Sequence, residues 1–320
     1  MTSERLLKTR DRQPHVLCVG AAVLDTLFRV RKMPTGQGKV LPYDMLQIVE
    51  GMASSAAYAV VRLGGKASLW GSVGDDETGK RIIADLSAAG IDTSGMQIAQ
   101  GARSAVSTIV VDDGGERLIV PFYDPELHRS VKHVSTAEIA AFDAVLVDVR
   151  WPKLALKVLE TAQSLGKPAI LDGDVAADGV IERLGPAASH IVFSHPAAGK
   201  LAGTQDCAAA IGVLKQRFPQ AFISVTAGEN GAFWYDDVND CVMHMTARCV
   251  KAVDTLAAGD IFHGAFAFAV AQKWQIEDAI RISSAAAALK CQVFGGRTGA
   301  PDSDQLAACL AQWTPQVSRV

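Results

Sequence analysis

Short apolar runs separated by longer amphipathic stretches decide what this chain can fold into. Residues 15–20 (HVLCVG) read as a strand, and residues 53–63 read as a helix closed by Gly64 and Gly65. Residues 67–73 are again strand-like, and 77–89 helical with Gly90 as the stop. Residues 144–148, 169–172, 191–193 and 222–226 are short, apolar and rich in β-branched side chains. Helical stretches at 154–165, 207–217, 257–274 and 276–289 alternate with them. Strands alternating with helices predict an α/β fold with a mostly parallel sheet covered by helices on both faces. In such a fold the ligand site lies beyond the carboxyl ends of the strands.

Composition narrows the function classes. The 320 residues are 49% hydrophobic, enough for a full core without staples. Against 34 acidic residues stand 31 basic ones, a net charge of −3, so no broad positive field holds a nucleic acid or an anionic membrane. No apolar run approaches the roughly 18 residues of a spanning helix. Residues 1–14 are charged and lack the apolar stretch of a signal peptide, so they read as a tail and the chain as cytoplasmic. The six cysteines form no C-x-x-C pair and read as reduced thiols. The five tryptophans share no register and read as core or rim.

Two stretches, 29–49 and 104–122, carry weakly alternating extended patterns without a helical period. Paired, they would form a small second sheet, a lid; two independent surface loops are the alternative. The lid reading divides the chain into a main α/β part (15–28, 50–103 and 124–312) and a β lid (29–49 and 104–123).

The stretch richest in chemistry runs from Val253 to Ala265. It sets small residues, Ala257, Ala258 and Gly259, just before a long Ala/Phe helix. Small residues let backbone N–H groups at a helix start approach an anion. Asp260 adds a carboxylate in the same turn, able to take a proton from a substrate hydroxyl while the helix end holds a phosphoryl group. An acidic helix cap is the plainer reading of an Asp at this position.

The segment Asp254-Thr255-Leu256-Ala257-Ala258-Gly259-Asp260 resembles the D-T-x-[GA]-A-G-D signature of the ribokinase/PfkB family of sugar kinases. Other landmarks follow in family order: Gly20-x-x-x-x-Asp25, Glu50-Gly51 with the helix to Gly64, Gly71-x-Val73-Gly74-x-Asp76-x-x-Gly79, and Val225-Thr226-x-Gly228-x-x-Gly231. The resemblance implies a ribokinase-like fold and ATP-dependent phosphorylation of a sugar hydroxyl. Asp260 would be the base, and the N–H groups of Ala257, Ala258, Gly259 and Asp260 the anion hole. Asp25, Gly51 and Ser55 would meet the sugar; Thr226, Gly228 and Gly231 would border the nucleotide. Mg²⁺ would arrive with ATP, and K⁺ would bind near Asp254 and the loop 295–299. A homodimer through the lid's exposed edge would follow.

Three departures stand out. Glu50 replaces the first glycine of the hinge pair, Ser55 stands where an Asn is usual, and Ser194-His195-Pro196-Ala197 lacks the carboxylate of the family's N-x-x-E motif. Asp148-Val149-Arg150-Trp151, Phe262-His263-Gly264-Ala265 and Ala288-Leu289-Lys290-Cys291 resemble the 6-deoxy-6-sulfofructose kinase branch. Arg150 could then pair with an anionic group on the sugar, or form a structural ion pair with Asp148 or Asp172. Against the sulfo-sugar, Gly115-Glu116-Arg117 leads into Leu118–Phe122 with no amide side chain. Fructose, ribose, 2-keto-3-deoxygluconate and nucleosides remain as acceptors, and a non-catalytic sugar- or nucleotide-binding regulator as a different class. Dehydrogenase chemistry is a poor reading, since no G-x-G-x-x-G follows the first strand at Gly20.

Overall fold

The computed structural model describes residues 12–320. Most of the amino-terminal tail expected over residues 1–14 lies outside the described residues. A nine-stranded sheet runs, edge to edge, through Val317–Arg319, Cys241–Met245, Ala232–Asp236, Phe222–Thr226, His190–Ser194, Ala169–Gly173, Ala144–Val147, His15–Val19 and Lys66–Trp70. From Phe222–Thr226 to Lys66–Trp70 all pairings are parallel. The strands at the other edge pair antiparallel. Two buried apolar clusters, one on each face, explain why these strands are apolar almost throughout rather than alternating.

One face carries the helix Ala258–Ala271, hereafter the central helix, which is buried from Ile261 to Val270. It packs on the helix Met52–Arg62 so closely that a Cβ added at Gly264 would stand 2.3 Å from the Ala56 carbonyl oxygen. Small residues at this crossing therefore fix the depth at which the amino end of the central helix meets the sheet.

A separate four-stranded sheet has the order Asp44–Glu50, Val23–Val30, Val106–Asp112, Arg117–Phe122. The chain enters it through Gly20-Ala21-Ala22 and leaves it at Glu50, the residue before Gly51 caps the helix Met52–Arg62. This sheet starts at Val23, six residues ahead of the boundary expected at 29: Leu27 packs within it against Ile48, Ile109 and Val111, while Val23 packs on Ala102 and Ala105 and Leu24 joins the main core. The expected strand 67–73 is also divided. Lys66–Trp70 stays in the large sheet, while Ser72–Gly74 pairs with Gln97–Ala99. Gly71 is the break: a Cβ there would meet the Gly20 carbonyl oxygen at 2.9 Å and Met96 Sδ at 3.1 Å.

Trp70, Trp151, Trp234 and Trp274 are buried and Trp313 is half-buried, as the core-or-rim reading expected. All six cysteines are free thiols.

Candidate active site

The site is built where the carboxyl ends of the parallel strands meet the amino end of the central helix. Ala257 caps that helix in a left-handed conformation (φ 60°) with no side-chain hydrogen bond to the first turn. A non-glycine residue in that region stores strain, and the bend turns the chain abruptly into the helix. Ala258 N–H reaches Thr255 O at 3.3 Å and Ile261 N–H reaches Ala257 O at 2.9 Å. Among the described residues no acceptor takes the N–H groups of Gly259 and Asp260. A Cβ added at Gly259 would meet nothing within 4 Å. The free end of the helix thus opens on empty space with two unpaired donors, the geometry of an anion cradle.

Asp260 is half-buried in that first turn. Its carboxyl is held well above the ordinary carboxylate range by loss of water, then by the neighbouring carboxylates of Asp172 and Glu50, with His263 acting in the opposite sense. Asp172, at the end of its strand, is itself buried and raised for the same reasons. His263 joins the two. Its Nδ1 lies 2.7 Å from Gly259 O, and its Nε2 lies 3.1 Å from Val192 O and 3.4 Å from Asp172 Oδ1. The imidazole therefore ties the first turn of the central helix to the sheet, a role one helical turn beyond Asp260.

From the small sheet, Asp25 is buried, accepts a hydrogen bond from Ser107 Oγ at 2.6 Å, and is pushed up to about 6 by burial. Glu50 is buried and pushed up to about 7, again by burial. Its two oxygens are held by Ser55 Oγ at 2.5 Å and by Arg297 N–H at 2.6 Å. Ser55, expected to contact the sugar, is fully buried with its hydroxyl given to Glu50. It acts on the pocket only through that carboxyl. Gly51 (φ 117°) admits no side chain, since a Cβ would stand 2.5 Å from Ala21 O. The hinge thus keeps its second glycine while the first is replaced by a carboxylic acid bolted to the loop 295–299.

Arg150 is not free. Its guanidinium lies 3.6 Å from Asp174 Oδ2 and donates to Val175 O at 3.2 Å, while its backbone N–H donates to Asp148 Oδ1. The ion-pair alternative is realised, but with Asp174 rather than Asp148 or Asp172. Asp174 also accepts from Ser194 Oγ at 2.8 Å. Where the N-x-x-E carboxylate is missing, Ser194 thus presents a different carboxylate drawn from the neighbouring strand end.

A cavity of about 810 Å³ adjoins the helix end. Thr226, Gly228 and Gly231 line it, as do Ala258 and Gly259 on the helix side. Gly231 is also required by packing, since a Cβ would stand 2.0 Å from Met245 O. Arg117 also reaches this cavity, unannounced by any motif. It crosses from the small sheet, lines the cavity and donates to Thr255 Oγ1 at 2.6 Å. A lone Arg on an exposed strand carries no signal of that crossing.

K⁺ does not fit at Asp254. The Lys290 ammonium, fully buried, lies 3.0 Å from Asp254 Oδ2 and 2.7 Å from Asp254 O. The N–H groups of Gly295 and Gly296 also converge on Oδ2, each at 3.0 Å. The carboxylate expected to receive a monovalent ion is therefore already neutralised.

Residues 13–303 match the model of the pfkB family carbohydrate kinases. The ATP-dependent ribose-1-phosphate kinase of Halopiger xanaduensis is 28% identical over 308 residues, covering 93% of this chain and 98% of that protein. The ribokinase of Bacillus subtilis is 25% identical, covering 93% and 99%. A crystal structure from Agrobacterium tumefaciens, provisionally assigned as a ribokinase, is 62% identical with a TM-score of 0.93, covering 94% of this chain and 99% of that one. The ribokinase of Arabidopsis thaliana in complex with ribose and ATP shares the fold, with a TM-score of 0.79 at 19% identity over 93% and 98% of the two chains.

Proposed function

The chain belongs to the pfkB family of carbohydrate kinases, with a ribokinase-like fold, and from that premise we propose that it transfers the γ-phosphoryl group of ATP to a hydroxyl of an uncharged sugar. One observation carries this reading: the turn that holds the Asp260 carboxyl also leaves the N–H groups of Gly259 and Asp260 unpaired, and Ala258 and Gly259 of that turn line the cavity.

Asp260, as carboxylate, takes the proton of the sugar hydroxyl, and that oxygen bonds to the γ-phosphorus. The bond from phosphorus to the bridging oxygen breaks, and ADP leaves with the electron pair. The N–H groups of Gly259 and Asp260 hold the charge on the phosphoryl oxygens as it develops. The surroundings that lift Asp260 make it a stronger base once ionised. Thr226 and Gly228 border the nucleotide, and Asp25 receives sugar hydroxyls. Mg²⁺ bound with the triphosphate supplies charge neutralisation. Asp174, half-exposed at its strand end, would hold it through water, whereas Asp172 is buried against His263; water-bridged contact suits a cation that keeps most of its water and phosphate ligands.

The pocket's charge favours an uncharged sugar over a sulfonated or phosphorylated one. Asp25, Glu50, Asp172 and Asp260 lie close enough to act on one another's carboxyls, and the candidate cation, Arg150, is shared with Asp174. An anionic sugar would need Arg150 to abandon that carboxylate. Ribose and fructose suit this lining better than 6-deoxy-6-sulfofructose.

The small sheet would serve as the lid, hinged at residues 20–22 and at Glu50-Gly51. Its edge strand Arg117–Phe122 is exposed along its whole length, with Leu118, Val120 and Phe122 uncovered, which supports a homodimer joined through that edge. Six unpaired thiols support a cytoplasmic location.

An ADP-release screen tests the reading. Turnover with ribose or fructose, and little with 6-deoxy-6-sulfofructose or ribose 1-phosphate, is the expected result. Asp260→Asn should lower kcat by about 10²–10⁴-fold while ATP still binds, the range a removed general base costs. A variant that keeps its rate removes Asp260 as base. A preference for the anionic sugars that is lost in Arg150→Met overturns the uncharged acceptor.

A further inference from the structure

We infer that Lys290 is a built-in replacement for a monovalent cation, so that the anion cradle of this chain is held in place without one. The inference rests on the kinase reading for its consequence, but its geometry stands apart from it.

Lys290 sits near the end of the helix Ile276–Cys291, with no exposed surface. Burying an ammonium is costly unless oxygen atoms surround it. The oxygens here are the carbonyl and the Oδ2 of one residue, Asp254, at 2.7 and 3.0 Å. A carbonyl and a carboxylate oxygen presented together are the ligands a K⁺ ion would use, and an ammonium is close to K⁺ in size. A second cation placed there would meet the fixed positive charge at contact distance. The site as built therefore excludes the ion.

The consequence reaches the cradle through the backbone. The second Asp254 oxygen, Oδ1, accepts Leu256 N–H at 2.8 Å. Leu256 immediately precedes Ala257, whose φ of 60° starts the central helix. Oδ2 meanwhile holds the N–H groups of Gly295 and Gly296, and the next residue's N–H, that of Arg297, holds Glu50. One ammonium thus fixes the carboxylate that shapes both the helix start and the loop behind the hinge. Lys290 touches no reacting atom in this arrangement; it is a positioning residue. It deepens the proposed function by removing a cofactor requirement.

The test compares the wild-type protein with Lys290→Met in chloride salts of tetramethylammonium, Na⁺, K⁺ and NH₄⁺ at fixed ionic strength. Two readouts are used: ADP release with the sugar found active, and the melting temperature without substrates. Wild-type rates should agree within about twofold across the salts, and its melting temperature should not distinguish K⁺ from Na⁺. Lys290→Met should lose roughly 100-fold in kcat, the scale of a disturbed anion hole, and regain at least tenfold in K⁺ or NH₄⁺. Its melting temperature should rise with the same ions. Stimulation of the wild type several-fold by K⁺ over Na⁺ overturns the inference, whether or not the variant folds. So does a folded Lys290→Met that no cation restores or stabilises. Absence of turnover with any sugar is a failure of the kinase reading, and the melting series then decides this inference alone.

Discussion

Glu50 offers the sharpest quantitative test, because a buried carboxyl at a hinge must make stability depend on pH. Its carboxyl titrates near 7 in the folded protein against 4.5 for an unperturbed glutamate, with burial as the chief cause. The sign follows from linkage. The folded state binds this proton more tightly than the unfolded chain, so the stabilisation is complete below about 4.5. It is lost as pH rises through about 7. At 1.36 kcal/mol per pH interval of one, the span from 4.5 to about 7 corresponds to roughly 3 kcal/mol at most. Glu50→Gln keeps the shape and the acceptor for Arg297 N–H, and Ser55 can turn its hydroxyl to match. It therefore imitates the neutral acid at every pH.

The expected result is a difference that changes with pH. Near pH 4.5 the two proteins should melt together. At pH 8 the variant should be more stable by up to about 3 kcal/mol, because the wild type then buries a charge. An entropy of unfolding of about 2.1 cal/mol/K per residue over 320 residues turns this into about 4–5 °C. Melting curves of both proteins across pH 4.5–8, read as the difference at each pH, eliminate the shared titrating groups that are not coupled to Glu50, as Asp260 is. A constant offset, or a variant that is the less stable one at pH 8, refutes the reasoning.

Further expectations concern the site itself. Arg117→Ala should raise the KM for ATP by roughly tenfold with a smaller change in kcat, since the guanidinium lines the cavity from the small sheet and is fixed to Thr255; steady-state kinetics with ATP varied decides it, and an unchanged KM removes Arg117 from nucleotide binding. The acidic limb of kcat/KM should lie well above the ordinary carboxylate range, with activity rising as pH rises, because Asp260 must lose its proton and burial with Asp172 and Glu50 raises it. A profile flat down to pH 4.5 would contradict that assignment.

The parallel sheet and its longer covering helices were legible because the strands are apolar on both faces and the first two helices end on glycines; the pattern missed the shorter helices His195–Ala202 and Ser303–Gln312. The antiparallel edge was not. Ala232–Asp236 and Cys241–Met245 mix polar and apolar residues, and they take their strand form from pairing with Phe222–Thr226 and with each other. Val317–Arg319 is three residues long and pairs only at its register with Met243–Met245. Local pattern carries no record of such partners. The turn Ala257–Asp260 was legible for the opposite reason, as it is contiguous in sequence, although the Ala258 N–H expected in the anion hole is given to Thr255 O instead.

The electrostatics of the site were hidden because they are assembled across the whole chain. Asp25, Glu50, Asp172 and Asp260 come from four separated segments, and each raises another's affinity for a proton or is raised by burial. Read singly, Glu50 is a replaced hinge glycine, Ser55 a substituted sugar contact and Lys290 one member of a branch-like motif. Their partners reverse each reading. Ser55 holds Glu50, Glu50 holds Arg297, and Asp254, held by Lys290, fixes the two residues before Arg297. A glycine at position 50 would leave the Arg297 N–H and the Ser55 hydroxyl without that acceptor, so Glu50, Ser55 and Lys290 belong to one network. Glu50 and Ser55, two of the departures from the family pattern, therefore brace the loop that Asp254 also holds, and a protein that had lost catalysis would have no need of that bracing.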